Sequence, residues 1–177
     1  MVRVFVVACF VLLLAIPALA QEDYPRIETS LGYANLSFPD LTTGASGHHS
    51  GFANQTSFNL TRSLGLDNYM GIYGLGQGVT LISDFFGGKA MYRAPRFVPY
   101  ALGGLGIGYF TASTSFGSAS TSKFAVRYGG GVDIPINDSM AWKVEISRMS
   151  FHLPTTTTSS WTSGTNISTG IVFTIAQ

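Results

Sequence analysis

Residues 123–150 read KFAVRYGGGVDIPINDSMAWKVEISRMS. Up to Ile134 the large apolar side chains Phe124, Val126, Tyr128, Val132 and Ile134 share one parity, and Lys123, Ala125, Arg127, Gly129, Gly131 and Asp133 share the other. After Pro135–Ser139 the alternation resumes, with Met140, Trp142, Val144 and Ile146 set against Lys143, Glu145 and Ser147. A period of two sustained this long is a strand with two unlike faces. Two such runs about a Pro-Ile-Asn-Asp-Ser turn are a hairpin with long arms. Periodicity does not say which face is wet. In a soluble sandwich the apolar face is core. In a barrel crossing a membrane it meets lipid, and the charges Arg127, Asp133, Lys143 and Glu145 are enclosed.

Composition narrows the choice. Charged residues are 11% of the chain, less than half of the ~25% usual in globular domains. No apolar run after residue 20 reaches the ~20 residues of a spanning helix. The first twenty residues have the form of a secretory leader: Arg3, an apolar run Val4–Ile16, Pro17 and the small-residue cut site Ala18-Leu19-Ala20. Cleavage before Gln21 is expected, leaving residues 21–177 as one domain. The only cysteine, Cys9, falls in that leader, so no disulfide framework or thiolate metal site is expected. Without Arg3, the Lys and Arg balance the nine Asp and Glu; there is no basic stripe for a nucleic acid.

The test applied to 123–150 yields eight strands, near 26–37, 50–62, 66–76, 82–93, 97–111, 123–134, 140–150 and 166–175. Connections after the second, fourth and sixth are short. Those after the first, fifth and seventh (PDLTTGASGHHS, TASTSFGSASTS and HLPTTTTSSWTSG) are long and polar, and the one after the third is intermediate. Short turns at one end and long loops at the other mark an up-and-down transmembrane barrel. Strand length agrees, since crossing lipid at a tilt takes ~9–11 residues. Tyr33, Phe58, Phe86, Tyr92, Phe97, Tyr109, Phe124, Trp142 and Phe173 sit mostly near strand ends on the apolar parity, as girdle residues do at a membrane interface. The competing interpretation is the aromatic core of a secreted β-sandwich.

FFGGKAMYR (85–93), RFVPYALGGLGIGYF (96–110), the 124–151 hairpin and the closing ISTGIVFTI (167–175) together resemble the small outer-membrane β-barrels related to the membrane domain of outer-membrane protein A and the opacity-type proteins. The resemblance covers most of the chain after residue 20. It implies an all-β, eight-stranded antiparallel barrel in a bacterial outer membrane with both termini in the periplasm. It also implies insertion by the barrel-assembly machinery, which reads a terminal aromatic. Here the chain closes on Val172-Phe173-Thr174-Ile175-Ala176-Gln177, a departure that bears on insertion. A monomer is expected, with lipid around it and an extracellular partner left open.

Two candidate chemistries weaken on inspection. Gly104, Gly106 and Gly108 look like a phosphate loop, but such a loop opens a helix, and TASTSFGSASTS follows. On a strand these glycines share a parity and make room in a narrow lumen for large neighbours such as Tyr100. His48, His49 and His152 fall in expected external loops. His152 with Ser150 is a crude match to the histidine and serine that a lipid-modifying enzyme on such a barrel requires, with no motif around it. No cofactor or metal is expected, and catalytic residues are assigned to none. The lumen charges are expected to pair, Asp133 with Lys143 and Arg127 with Glu145, while Phe124, Tyr128, Met140, Trp142, Val144, Ile146 and Phe173 face lipid. The role expected is structural, or surface interaction through loops at 39–49, 112–122 and 152–164. The alternatives are a lipid-modifying enzyme and a soluble sandwich. Five N-x-S/T sequons, at Asn35, Asn54, Asn59, Asn137 and Asn166, arise readily in Ser/Thr-rich strands.

Overall fold

The computed structural model describes residues 24–39, 46–76, 78–114, 117–154 and 159–176. Eight strands account for nearly all of them: β1 (Ile27–Pro39), β2 (Ser46–Asn59), β3 (Leu64–Gly76), β4 (Val79–Met91), β5 (Val98–Thr114), β6 (Gly117–Asn137), β7 (Met140–Pro154) and β8 (Ser159–Ala176). The leader expected over residues 1–20 lies outside the described residues. Each strand pairs antiparallel with the next and β8 pairs with β1, so the sheet closes on itself. Closure satisfies every ladder without leaving an edge, which backbone in hydrocarbon requires.

The register fixes the size of the ring. A line of cross-strand partners leaves Ile27 and passes through Phe58, Leu66, Gly88, Gly103, Tyr128, Arg148 and Thr165. It returns to β1 at Ser37, ten residues further along. Ten residues of ~3.3 Å set against eight inter-strand steps of ~4.8 Å tilt the strands by about 41° and give a backbone radius of about 8 Å. Each residue then climbs about 2.5 Å along the barrel axis. Rings of about this size are just wide enough for side chains to fill.

The start of β1 and the end of β8 lie at the end of the short turns: the Arg26 amide bonds the Ala176 carbonyl at 2.7 Å, and the Tyr24 hydroxyl reaches the Leu60 carbonyl at 3.0 Å. The turns are closed locally by side chains. Thr61 Oγ1 accepts from the Leu64 amide and Asn137 Oδ1 from the Ser139 amide, both at 2.9 Å.

The opposite end departs from expectation. β5 and β6 stay paired to Thr114 and Gly117, and β7 and β8 to Pro154 and Ser159, so most of TASTSFGSASTS and much of HLPTTTTSSWTSG is strand. His48 and His49 belong to β2 and His152 to β7. The reason is that backbone ladders continue without apolar side chains once the neighbouring strand is in place. The connection after β3 is a tight turn, with Gly76 and Gly78 at φ of 82° and 76°, values that suit residues without a Cβ. Residues 40–45, 115–116 and 155–158 of the expected loops lie outside the described residues.

The interior is layered. Toward the loop end Ala34, Leu36, Phe38, Tyr73, Leu81, Phe85, Phe110, Met149 and Phe151 form an apolar cluster; at the turn end Met91, Val98, Tyr100 and Leu102 form a smaller one. Charged and amide side chains lie between. The space for Tyr100 comes from Gly131, where an added Cβ would stand 2.5 Å from its hydroxyl. Gly106 and Gly108, expected to serve Tyr100, instead admit Phe85 and Phe151, because in so narrow a ring a lumen residue meets side chains from neighbouring and facing strands.

Candidate functional site

Inside the barrel, β3, β4, β6 and β7 carry six charged side chains, all buried: Asp67, Lys89, Arg127, Asp133, Lys143 and Glu145. Three cations face three carboxylates, which is the condition for burying them at all. Arg127 is the hub. Its Nη2 donates to Glu145 Oε1, its Nη1 lies 3.5 Å from Asp67 Oδ2, its Nε donates to Ser147 Oγ, and its guanidinium stacks 3.8 Å from the centre of the Tyr69 ring. Glu145 takes a second bond, from the Tyr100 hydroxyl at 3.1 Å, and Asp67 is held by Gln55 Nε2 and Ser57 Oγ, each at 2.9 Å.

Arg127 and Glu145 meet as the sequence leads one to expect. Asp133 and Lys143 do not, although they are cross-strand partners. Asp133 pairs with Lys89 of β4 at 3.4 Å, and Lys143 Nζ reaches across the lumen to Gln55 Oε1 at 2.8 Å and Ser30 Oγ at 3.3 Å. A lysine stem spans much of so narrow a ring, so facing strands compete with the hairpin neighbour. Lys89 and Lys143 both lie over the Tyr100 ring, at 4.2 and 5.4 Å. Asp67 and Lys89 escape sequence reasoning because their strands carry bulky residues on both parities, Phe85 beside Phe86 and Tyr69 beside Met70.

Next to this network the Tyr69 and Tyr73 hydroxyls bond each other and Asn166. Beyond them Phe151 stands edge-on to Phe38 and Phe110, with ring centres 5.5 Å apart in each pair. Two gaps among the interior side chains, one beside Ser30, Gln55 and Lys143 and one beside Asp67, Leu102 and Arg127, each hold about 10 Å³, the room of a single water. At the turn end Arg93 and Glu28 form a further ion pair at 2.9 Å, with Asn59 also on the Glu28 carboxylate.

On the outer face Phe124, Tyr128, Trp142, Ile146 and Phe173 are exposed, and Met140 and Val144 are partly covered by their neighbours. The Trp142 indole N–H donates to Thr169 Oγ1 at 2.8 Å, so this outward ring carries no unmet donor. His152 packs on the Trp161 ring at 5.3 Å, and the Ser150 hydroxyl bonds that of Ser163 at 2.8 Å. Two charges, Asp84 and Arg148, also point outward. An arginine in that position costs about 2–4 kcal/mol at a bilayer midplane and less toward either interface.

A family model described as "Outer membrane protein beta-barrel domain" matches residues 6–173. No curated protein sequence matches the chain. Among solved structures, Neisserial surface protein A is similar with a TM-score of 0.66 at 10% identity, covering 84% of this chain and 96% of that one. Ail, the attachment invasion locus protein of Yersinia pestis, gives 0.55 at 18% identity over 83% and 97% of the two chains. OprG of Pseudomonas aeruginosa gives 0.52 at 13% over 83% and 94%. At these identities the likeness is one of fold.

Proposed function

Since this chain belongs to the family of outer membrane protein β-barrel domains, we propose that it works as a closed, non-conducting barrel that holds a rim of paired strands outside the bacterial cell for contact with other molecules. The observation that carries this reading is the layered lumen. A neutral charge network centred on Arg127 and an apolar aromatic cap around Phe151 follow one another along the lumen, and the two gaps described among these side chains each hold about one water. An ion crossing this interior would have to break the Arg127 pairs and then shed water among Phe38, Phe110 and Phe151.

The rim is the part available for contact. The loop-end parts of the β5–β6 and β7–β8 hairpins are rich in Ser, Thr and Gly, and their ladders hold them stiffer than free loops. The neighbours in fold include a protein described as a surface protein and one described as an attachment invasion locus protein. Those words belong to them and supply only the class of role proposed here. We assign the chain no enzymatic step. The Ser150 hydroxyl is engaged with Ser163 and His152 packs at a tilt on Trp161, an arrangement that serves packing.

Planar-bilayer recording of the purified barrel tests the sealed lumen: no large, stable conductance is expected, and a persistent open channel overturns the proposal. His152→Ala should leave the acyl pattern of the surrounding lipid unchanged by mass spectrometry. A lost modification would make this an enzyme.

A further inference from the structure

We propose that Asp84 and Arg148 are the two halves of a lateral contact through which copies of this barrel line up side by side in the membrane. Among the charged side chains of the described strand residues, these two alone lie on the outward parity; the rest point into the lumen. Asp84 sits on β4 between the exposed Ile82 and Phe86, and Arg148 on β7 follows the exposed Ile146. Both are therefore within the belt that lipid covers, where hydrocarbon offers a charge no partner.

Their depths agree. The ladder line from Asp84 runs through Ile107 to Phe124, and that of Arg148 runs to Tyr128. Phe124 stands four residues nearer the loop end of β6 than Tyr128, about 10 Å of height at this tilt. Three steps across the sheet, each climbing about 3 Å, offset that difference, so the two charges lie within about 1 Å of the same level.

On the outer face Asp84 is held by Asn68, whose Nδ2 donates to Asp84 Oδ1 at 2.9 Å. Around Arg148 that face carries the Ser150–Ser163 pair and Thr165, the cross-strand partner of Arg148. A second copy inserted in the same orientation brings its basic flank to the depth of the acidic flank of the first. The flanks are three strands apart on the ring, so the contact joins unlike faces. It propagates as a curved row of copies where a two-fold pair would close, in place of the monomer expected from the sequence.

Two differently tagged full-length copies, one with Phe86→Cys and the other with Tyr128→Cys, outward positions that the same ladder lines place within about 2 Å of one depth, would be co-expressed and oxidised in intact outer membranes. The unmodified chain, whose only cysteine is Cys9, serves as blank. The mixed disulfide should exceed either homotypic one about tenfold; Arg148→Glu on the second copy should remove that excess, and Asp84→Arg on the first should restore it. Heat-dependent migration on a gel checks that every variant is folded. Equal homotypic and mixed yields, no cross-link between folded copies, or a yield indifferent to Arg148→Glu each overturn the proposal. Should Arg148→Glu instead abolish retention of an anionic lipid by the purified barrel with no change in cross-linking, the occupant is lipid.

Discussion

Replacing Arg127 by methionine keeps an unbranched stem of similar reach and removes the charge. Two buried carboxylates then lose their cation, since Arg127 serves both Glu145 and Asp67. Removing one partner of a buried pair costs about 3–5 kcal/mol, most of it the penalty of an uncompensated charge. Arg127→Met should therefore fall at the upper end of that range. Glu145→Gln is milder. Arg127 keeps Asp67 and the Tyr69 ring, and the new amide can still accept from Tyr100. Its cost should be about 2 kcal/mol, the scale of hydrogen bonds to charged groups. In the double variant only Asp67 is left without its cation, and Gln55 and Ser57 still bond it. The double should thus cost less than the sum of the singles by about 1–3 kcal/mol. Urea unfolding of the refolded barrel in lipid vesicles, followed by the fluorescence of its two tryptophans, measures all three. Additive losses, or an Arg127→Met variant no less stable than Glu145→Gln, would refute the hub role of Arg127.

Phe151→Ala, at a fully buried ring in contact with Phe38, Phe85 and Phe110, should cost about 3–5 kcal/mol in the same unfolding assay, whereas Phe124→Ala on the lipid face should cost well under half as much. Gly108→Ala places a methyl 2.5 Å from the Phe151 ring; a loss of about 1–3 kcal/mol is expected, and Phe151→Leu in the same chain should recover part of it because the obstacle is a side chain. Single Trp142→Cys and Ile146→Cys variants should resist a water-soluble thiol reagent in intact membranes, and ready labelling of both would turn the barrel inside out.

The fold was legible where large apolar and charged residues alternate. In β6 and β7 that alternation identified the enclosed Arg127, Asp133, Lys143 and Glu145 and the outward Trp142 and Ile146 without any structure. It faded where side chains carry no contrast. Thr111 pairs with Ser120 and Ala112 with Ala119 in a regular ladder, yet small polar residues give the same pattern in a loop as in a strand beyond the membrane. Asp67 and Lys89 were hidden by bulky residues on both parities of β3 and β4, Tyr69 beside Met70 and Phe85 beside Phe86. The partner of Asp133 was illegible for another reason: hairpin register names the neighbour across the turn, while a ring about 8 Å in radius lets a lysine on a different strand arrive first. The aromatic cap shows the same limit, since Phe38, Phe110 and Phe151 come from three strands whose meeting depends on closure.

The ties across the lumen also govern how the chain enters its membrane. Lys143 bonds Ser30 and Gln55, separated from it by 113 and 88 positions, and Tyr73 bonds Asn166 across 93. None of these can form before the final hairpin reaches β1. A half-assembled sheet would hold Arg127 and Lys143 toward hydrocarbon with their counter-groups still absent, an expensive species to populate. Insertion and ring closure are thereby coupled into one cooperative event whose slow step is the meeting of the two ends of the chain.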